Sequence, residues 1–158
     1  MSSGPQPEAT TIEVYADITC PFTHVGLKRV IEHIAATGHP TVVHVRAWPL
    51  EWVNGAGLEI DAVEMKAKAL SEQLGVDDFT GLQHDQWPSS TIRALELAAA
   101  AYERDVAIGL AVSVELRTAL FERGLDIGDP DVLAGIAEHY ELELPPEGSS
   151  DAVQADYD

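Results

Sequence analysis

Residues 11–30 read TIEVYADITCPFTHVGLKRV, and this stretch divides into three parts. Thr11–Ala16 crowds β-branched and aromatic residues together, as a strand does. Asp17-Ile18-Thr19 makes a turn. From Phe22 to Ala36 the pattern is helical, with Val25, Val30, Ile31 and Ile34 able to share one face while Lys28, Arg29 and Glu32 point away. Cys20, the only cysteine of the chain, sits at the junction and is followed by Pro21. Proline suits the first helical position, where its missing N–H would have had no partner. The Cys20 sulfur is thereby placed at a helix N-terminus, where free N–H groups and the positive dipole end favour an anion. A thiol there is drawn toward the thiolate, which is the nucleophilic form.

Working outward, Gly38 stops the helix and Thr41–Ala47 (TVVHVRA) supplies a second strand. Strand, helix and strand in this length make a βαβ unit, with a right-handed crossover and parallel strands. The first strand has too few polar positions for an exposed edge and is expected to be buried on both faces. Trp48-Pro49-Leu50-Glu51-Trp52 reads as an apolar loop. A helix is expected from about Asp61, as N-cap, to Leu74, with Gly75 as its stop. Residues 77–88 are less regular. Ser89-Ser90-Thr91 offers caps for the longest periodic stretch, toward Phe121, divided at Gly109 or near Arg104-Asp105. Asp129-Pro130 starts a further helix to about Tyr140, and Ser149-Ser150-Asp151 caps a final segment.

The 158 residues suit one domain with a real core. Against 27 acidic residues stand 9 basic ones, a net charge of −18 that argues against nucleic acid or an anionic membrane as partner. No apolar run approaches the roughly 20 residues of a spanning helix, and MSSGPQPEATT lacks the regions of a signal peptide. A lone cysteine fits a reducing compartment, so a cytoplasmic location is expected. His44, His84 and His139 show no metal-ligand spacing with Cys20 or the carboxylates, and no metal site is expected.

The turn Asp17-Ile18-Thr19-Cys20-Pro21-Phe22-Thr23, with Gly26 and Lys28, resembles the active-site turn of DsbA-like thioredoxin-fold oxidoreductases. It is closest to their FrnE-type branch, which is similar in turn to 2-hydroxychromene-2-carboxylate isomerases and kappa-class glutathione transferases. Trp48-Pro49-Leu50 resembles the family's aromatic-x-Leu segment, and Ser90-Thr91 with Ala94 resembles its Asn-Thr-x-x-Ala helix start. Phe121–Ile127 and Asp131-Val132-Leu133 resemble its Phe-x-x-Gly-x-Asp-Ile block and the helix after it. The resemblance implies an α/β fold: a thioredoxin-like βαβ half over 11–60, a helical insertion over 61–144, and a return segment over 145–158, after a flexible tail over 1–10. It also implies Cys20 and Thr23 as catalytic residues, with Pro21, Phe22, His24, Trp48 and Thr91 around the bound substrate. His24 is read as a helix-surface residue able to assist the thiol, and Trp48 as core or groove lining.

Two departures shape the functional expectation. Relatives often carry Cys-x-x-Cys, whereas Thr23 stands at the second position here, so no internal dithiol cycle is available. The family's cis-proline segment, two later strands and last helix also have no counterpart within these residues. The first strand is therefore expected to leave an open apolar edge at Ile12-Glu13-Val14-Tyr15, closed by a homodimer or by strands of a longer protein. The leading reading is a monothiol oxidoreductase or thiol transferase acting on a small thiol or disulfide. It binds no cofactor tightly and uses a low-molecular-weight thiol as co-substrate. The alternatives are a thiol-cofactor-dependent isomerase or S-transferase, and a degenerate, non-catalytic binding protein.

Overall fold

The structure, a computed structural model, describes residues 4, 5 and 8–158; the tail expected over 1–10 falls partly outside them. Strand β1 (Thr10–Ala16) leads into α1 (Pro21–Thr37), and β2 (Thr41–Ala47) returns parallel to β1, with Val14 opposite Val45 and Ala16 opposite Ala47. There follow α2 (Leu50–Asn54), α3 (Ile60–Leu74), a single 3-10 turn at His84–Gln86, α4 (Ile92–Arg104), α5 (Val106–Phe121), α6 (Pro130–His139) and α7 (Asp151–Tyr157). Among the described residues the sheet has two strands, and the architecture is a thioredoxin-like α/β fold carrying a helical insertion.

Several boundaries differ from the sequence reading for identifiable reasons. The apolar loop after β2 contains a short helix, because Trp52 and Val53 N–H groups both turn back to the Pro49 carbonyl. The N-cap of α3 falls two residues earlier than expected, at Glu59, and Asp61 lies in the first turn, where a carboxylate favours the dipole. The break in the longest periodic stretch falls at Asp105, whose side chain accepts from the Ala107 and Ile108 N–H groups and starts α5. Gly109 does something else. A Cβ there would meet the Tyr102 ring at 2.2 Å, so the glycine lets α4 and α5 approach closely enough for Tyr102 to pass between them.

The main core is built by α4, α5 and α6, with Leu97, Val112, Leu116, Ala119, Phe121, Ile127 and Leu133 fully enclosed. A smaller cluster of Leu27, Val43 and Val45, with Val14, Val30 and Ile34 around it, joins α1 to the sheet.

The two edges of that sheet are treated differently. On the outer side of β2, the Val45 N–H donates to the Tyr102 hydroxyl at 2.8 Å and the Ala47 N–H donates to Asp156 Oδ2 at 3.0 Å. Side chains from α4 and α7 thus occupy an edge that a strand would otherwise fill. The outer side of β1 has no partner among the described residues, and β1 is not buried on both faces as its composition suggested. Ile12 is 40% and Tyr15 is 52% exposed. The strand resembles a buried one because β2 and α1 cover only part of it, and hydrophobic composition reports what can be buried rather than what is.

Replacing Tyr102 by Phe keeps the ring stacked on His44 but removes the acceptor for the Val45 N–H. A stability loss of about 1–2 kcal/mol is expected in urea unfolding. An unchanged midpoint would show that this edge amide finds its partner elsewhere.

Candidate functional site

The thiol turn is assembled from the end of β1 upward. Asp17 is buried, and its carboxylate gathers four donors from three parts of the chain. Oδ1 accepts from the Thr19 N–H and hydroxyl, both at 3.2 Å, which closes the turn on itself. Oδ2 accepts from the Leu50 N–H at 2.7 Å and the Thr91 hydroxyl at 3.1 Å, tying the turn to the starts of α2 and α4. Glu51 reinforces the second tie by accepting from Ser90 Oγ and the Thr91 N–H, each at 2.9 Å. Beneath the turn, Arg117 of α5 donates through Nη2 to the Asp17 carbonyl at 3.1 Å and through Nη1 to the Ser113 carbonyl.

On this platform Cys20 is the N-cap of α1, partly exposed, with extended backbone angles and no side-chain capping bond. Pro21 occupies the first helical turn and is buried. Phe22 points outward at 56% exposure, and Thr23 is partly buried one turn along. Beside them runs an apolar groove of about 300 Å³ lined by Ile12, Val14, Phe22, Thr23, Gly26 and Val30. Cys20, Pro21, Phe22 and Thr23 therefore share one turn, and Thr91 is joined to it through Asp17.

His24 and Trp48 are placed differently. His24 is not on the helix surface: it is 1% exposed, stacked on Phe121 at 5.1 Å and set edge-on to Phe79. Its Nε2 lies 3.0 Å from both the Asp78 carbonyl and Glu122 Oε2. Burial lowers the His24 pKa below its ordinary 6.5, against the opposing pull of Glu122, so the ring is neutral at pH 7 and acts as a hydrogen-bonding strut. Lys28, expected in solvent, also turns to this junction and pairs with Asp78 and Glu122. Burial works against its charge, but those two carboxylates outweigh it and raise the ammonium pKa. Close packing supports the junction, since a Cβ on Gly81 would lie 2.1 Å from the Glu122 carbonyl oxygen. Trp48 meets Tyr15 edge-on at 6.3 Å and leans on Tyr157 at 5.2 Å, so it fastens α7 to the sheet.

Sequence reading took Asp17 only as a turn former and passed over Glu51, Arg117, Asp78 and Glu122. Nothing local distinguishes these charges; their roles arise from separations of 33 to 100 residues. The exposed trio Asp61, Glu64 and His84 also comes together, with ligand atoms within 4.8 Å of one another. Glu64 and His84 form a direct contact at 2.9 Å that raises the His84 pKa, and the group stands apart from the Cys20 turn.

The sequence profile of the DSBA-like thioredoxin domain matches residues 11–157. The chain belongs to that family. Its fold is similar to a Nitrosomonas europaea protein provisionally described as a protein disulfide isomerase, with a TM-score of 0.71, 10% identity, and coverage of 95% of this chain and 77% of that one. It is similar to a 2-hydroxychromene-2-carboxylate isomerase with a TM-score of 0.66 and 12% identity, covering 94% of this chain and 77% of the other. It is also similar to the cytosolic disulfide reductase DsbM of Pseudomonas aeruginosa, with a TM-score of 0.61, 19% identity, and coverage of 92% and 69%. A search of curated proteins finds no match. Among the described residues of this DSBA-like domain, no helix is long and apolar enough to cross a membrane.

Because the His24 pKa is lowered by folding, the unfolded chain takes up this proton first as the pH falls. The contribution is fully present above the unfolded value of 6.5 and is lost below it. Stability is expected to decline below that pH by up to about 1.4 kcal/mol per pH unit for the one proton. His24→Gln should start from lower stability and decline less steeply, retaining the share of His44, whose pKa burial and Arg46 also lower. Chemical unfolding across a pH series measures both slopes; equal slopes would contradict the assignment.

Proposed function

We propose that the protein is a thiol–disulfide oxidoreductase of the FrnE-type branch that works through Cys20 alone. One observation carries the reading: the only cysteine of the chain caps the N-terminus of a 17-residue helix, partly exposed. The helix N-terminus favours negative charge on the sulfur. Family membership and the disulfide chemistry named for two of the similar structures support the same reaction class.

The reaction proceeds in two exchanges. The Cys20 thiolate attacks one sulfur of a disulfide RS–SR′, forming the Cys20–SR bond as the S–S bond breaks and R′S⁻ departs. A second thiolate, R″S⁻, then attacks the R sulfur of that mixed disulfide. The RS–SR″ bond forms, and Cys20 leaves as the thiolate it was at the outset. No net electrons are gained by the protein, and the external thiol is the reductant of RS–SR′. A cytoplasmic pool of low-molecular-weight thiol supplies R″S⁻. The groove beside Phe22 and Thr23 accommodates an apolar R group, and Thr23 lines it one turn along the helix from Cys20.

The test uses hydroxyethyl disulfide with glutathione as the second thiol. The parent protein is expected to accelerate the exchange and Cys20→Ser to return it to the uncatalysed rate; a parent rate no faster than background would sink the proposal. Thr23→Cys should restore the internal dithiol. Mild oxidation is then expected to remove two hydrogens from the intact mass, and oxidised protein should accumulate without external thiol. Failure of that bond to form would show that the two side chains do not share one turn.

A further inference from the structure

Behind the thiol turn, on the side of β2 remote from β1, lies a second cavity of about 340 Å³. It is bounded by β2, α4, α5 and α7, and Cys20 does not line it. Its walls are chiefly apolar, from Ile18, Leu95, Ala98 and Ala152, and Arg117 lines it as well. This arginine is 1% exposed, and no carboxylate bonds to its guanidinium. Its two bonds go to main-chain carbonyls, Ser113 and Asp17, while Nε, buried, has no partner among the described residues.

That state is costly. A buried charge is ordinarily paired, and a buried donor without an acceptor forfeits about 1–3 kcal/mol. Three of the other five arginines pair with carboxylates, Arg46 with Glu13 and Asp156, Arg93 with Glu96, and Arg123 with Glu115, while Arg104, at the surface, bonds to the Glu141 carbonyl. The Asp17 and Cys20 side chains bear on the charge of Arg117 and oppose the effect of burial, yet neither bonds to the guanidinium. Burial lowers its pKa only to about 10, so it remains a cation at neutral pH. A guanidinium carries more N–H groups than its two present bonds use, and its planar fork matches a carboxylate in bidentate fashion.

We propose that this cavity is a binding site for a small organic monocarboxylate, whose carboxylate pairs with Arg117 and whose apolar body fills the space between β2, α4 and α7. The remaining lining decides against larger or more highly charged anions. Glu103, Asp156, Arg46 and His44 also face the cavity; Arg46 is paired with Asp156 and Glu13, which leaves the Glu103 carboxylate to repel a second negative charge. Cys20 does not line the cavity, and the proposal stands on the cavity and Arg117 without the monothiol reading.

The experiment is titration of the full chain with benzoate, with benzamide as the neutral isostere and sodium chloride at matched ionic strength, followed by calorimetry and thermal unfolding. Benzoate is expected to bind saturably and raise the unfolding temperature, benzamide and chloride to do neither. Arg117→Met, which fills similar volume without the charge, should weaken benzoate about tenfold or more. Because this variant also gives up the bonds to the Asp17 and Ser113 carbonyls, its folding is checked by thermal unfolding, and a second variant tests the cavity with those bonds in place. Ala98→Leu, which narrows the cavity and leaves Arg117 in place, should weaken benzoate too. No saturable benzoate binding, equal binding of benzamide, or undiminished binding to Arg117→Met would each overturn the proposal.

Discussion

The fold around the thiol depends on one buried carboxylate. Asp17 ends the first strand, and its side chain is the point at which β1, the thiol turn, α2 and α4 are tied together. Loss of Asp17 would leave the Leu50 N–H and the Thr19 N–H short of an acceptor, at about 1–3 kcal/mol for each that stays buried, while the Thr91 hydroxyl keeps Glu51 within 3.4 Å. The Asp17 carbonyl is held in turn by Arg117 from below. Strand end, helix start and insertion are therefore fixed relative to one another by polar contacts, while the apolar cores on either side supply the bulk of the burial.

This arrangement explains how the two strands among the described residues hold the Cys20 turn in place. A sheet of two strands is marginal alone. Here β2 is braced by Tyr102 and Asp156 along its outer edge, and α1 is clamped to the insertion by His24 and Lys28 meeting Asp78 and Glu122. The helix that carries Cys20 is thus gripped at its first turns and along one side. The edge of β1 and the apolar groove next to Phe22 are left open, on the same side as the thiol turn.

The sequence made the local pieces legible and left the long-range ones hidden. The βαβ unit followed from β-branched runs flanking an amphipathic helix, and the helix start at Pro21 from proline's fit to a first turn. Asp129 was readable as a helix start because a cap acts within a few residues of itself, whereas the long stretch could be divided at Gly109 or near Arg104-Asp105, and the Asp105 cap decides for the latter. Burial was less legible. Tyr15 and Ile12 have strand-core composition yet face solvent, because the open side of β1 is a property of topology and not of the strand. His24 and Lys28 read as surface residues because the groups that enclose them, Phe79, Asp78 and Glu122, lie 50 or more residues away. Arg117 carried no reading in the sequence; only its surroundings show it buried, with main-chain carbonyls as its bonding partners. The thiol was identified correctly as to position, a strand-to-helix junction, by its immediate neighbours alone.

The most direct test of the account compares Cys20 with itself in two states. Since the chain has one cysteine, intact mass reports alkylation by iodoacetamide at that residue only. The rate at neutral pH is measured for the native protein and for the protein unfolded in urea. If the helix N-terminus and the platform beneath it activate an accessible thiol, the native protein is alkylated faster despite its partial burial. A native rate equal to or below the unfolded rate would mean that the fold shelters the sulfur rather than activating it, and would contradict the account.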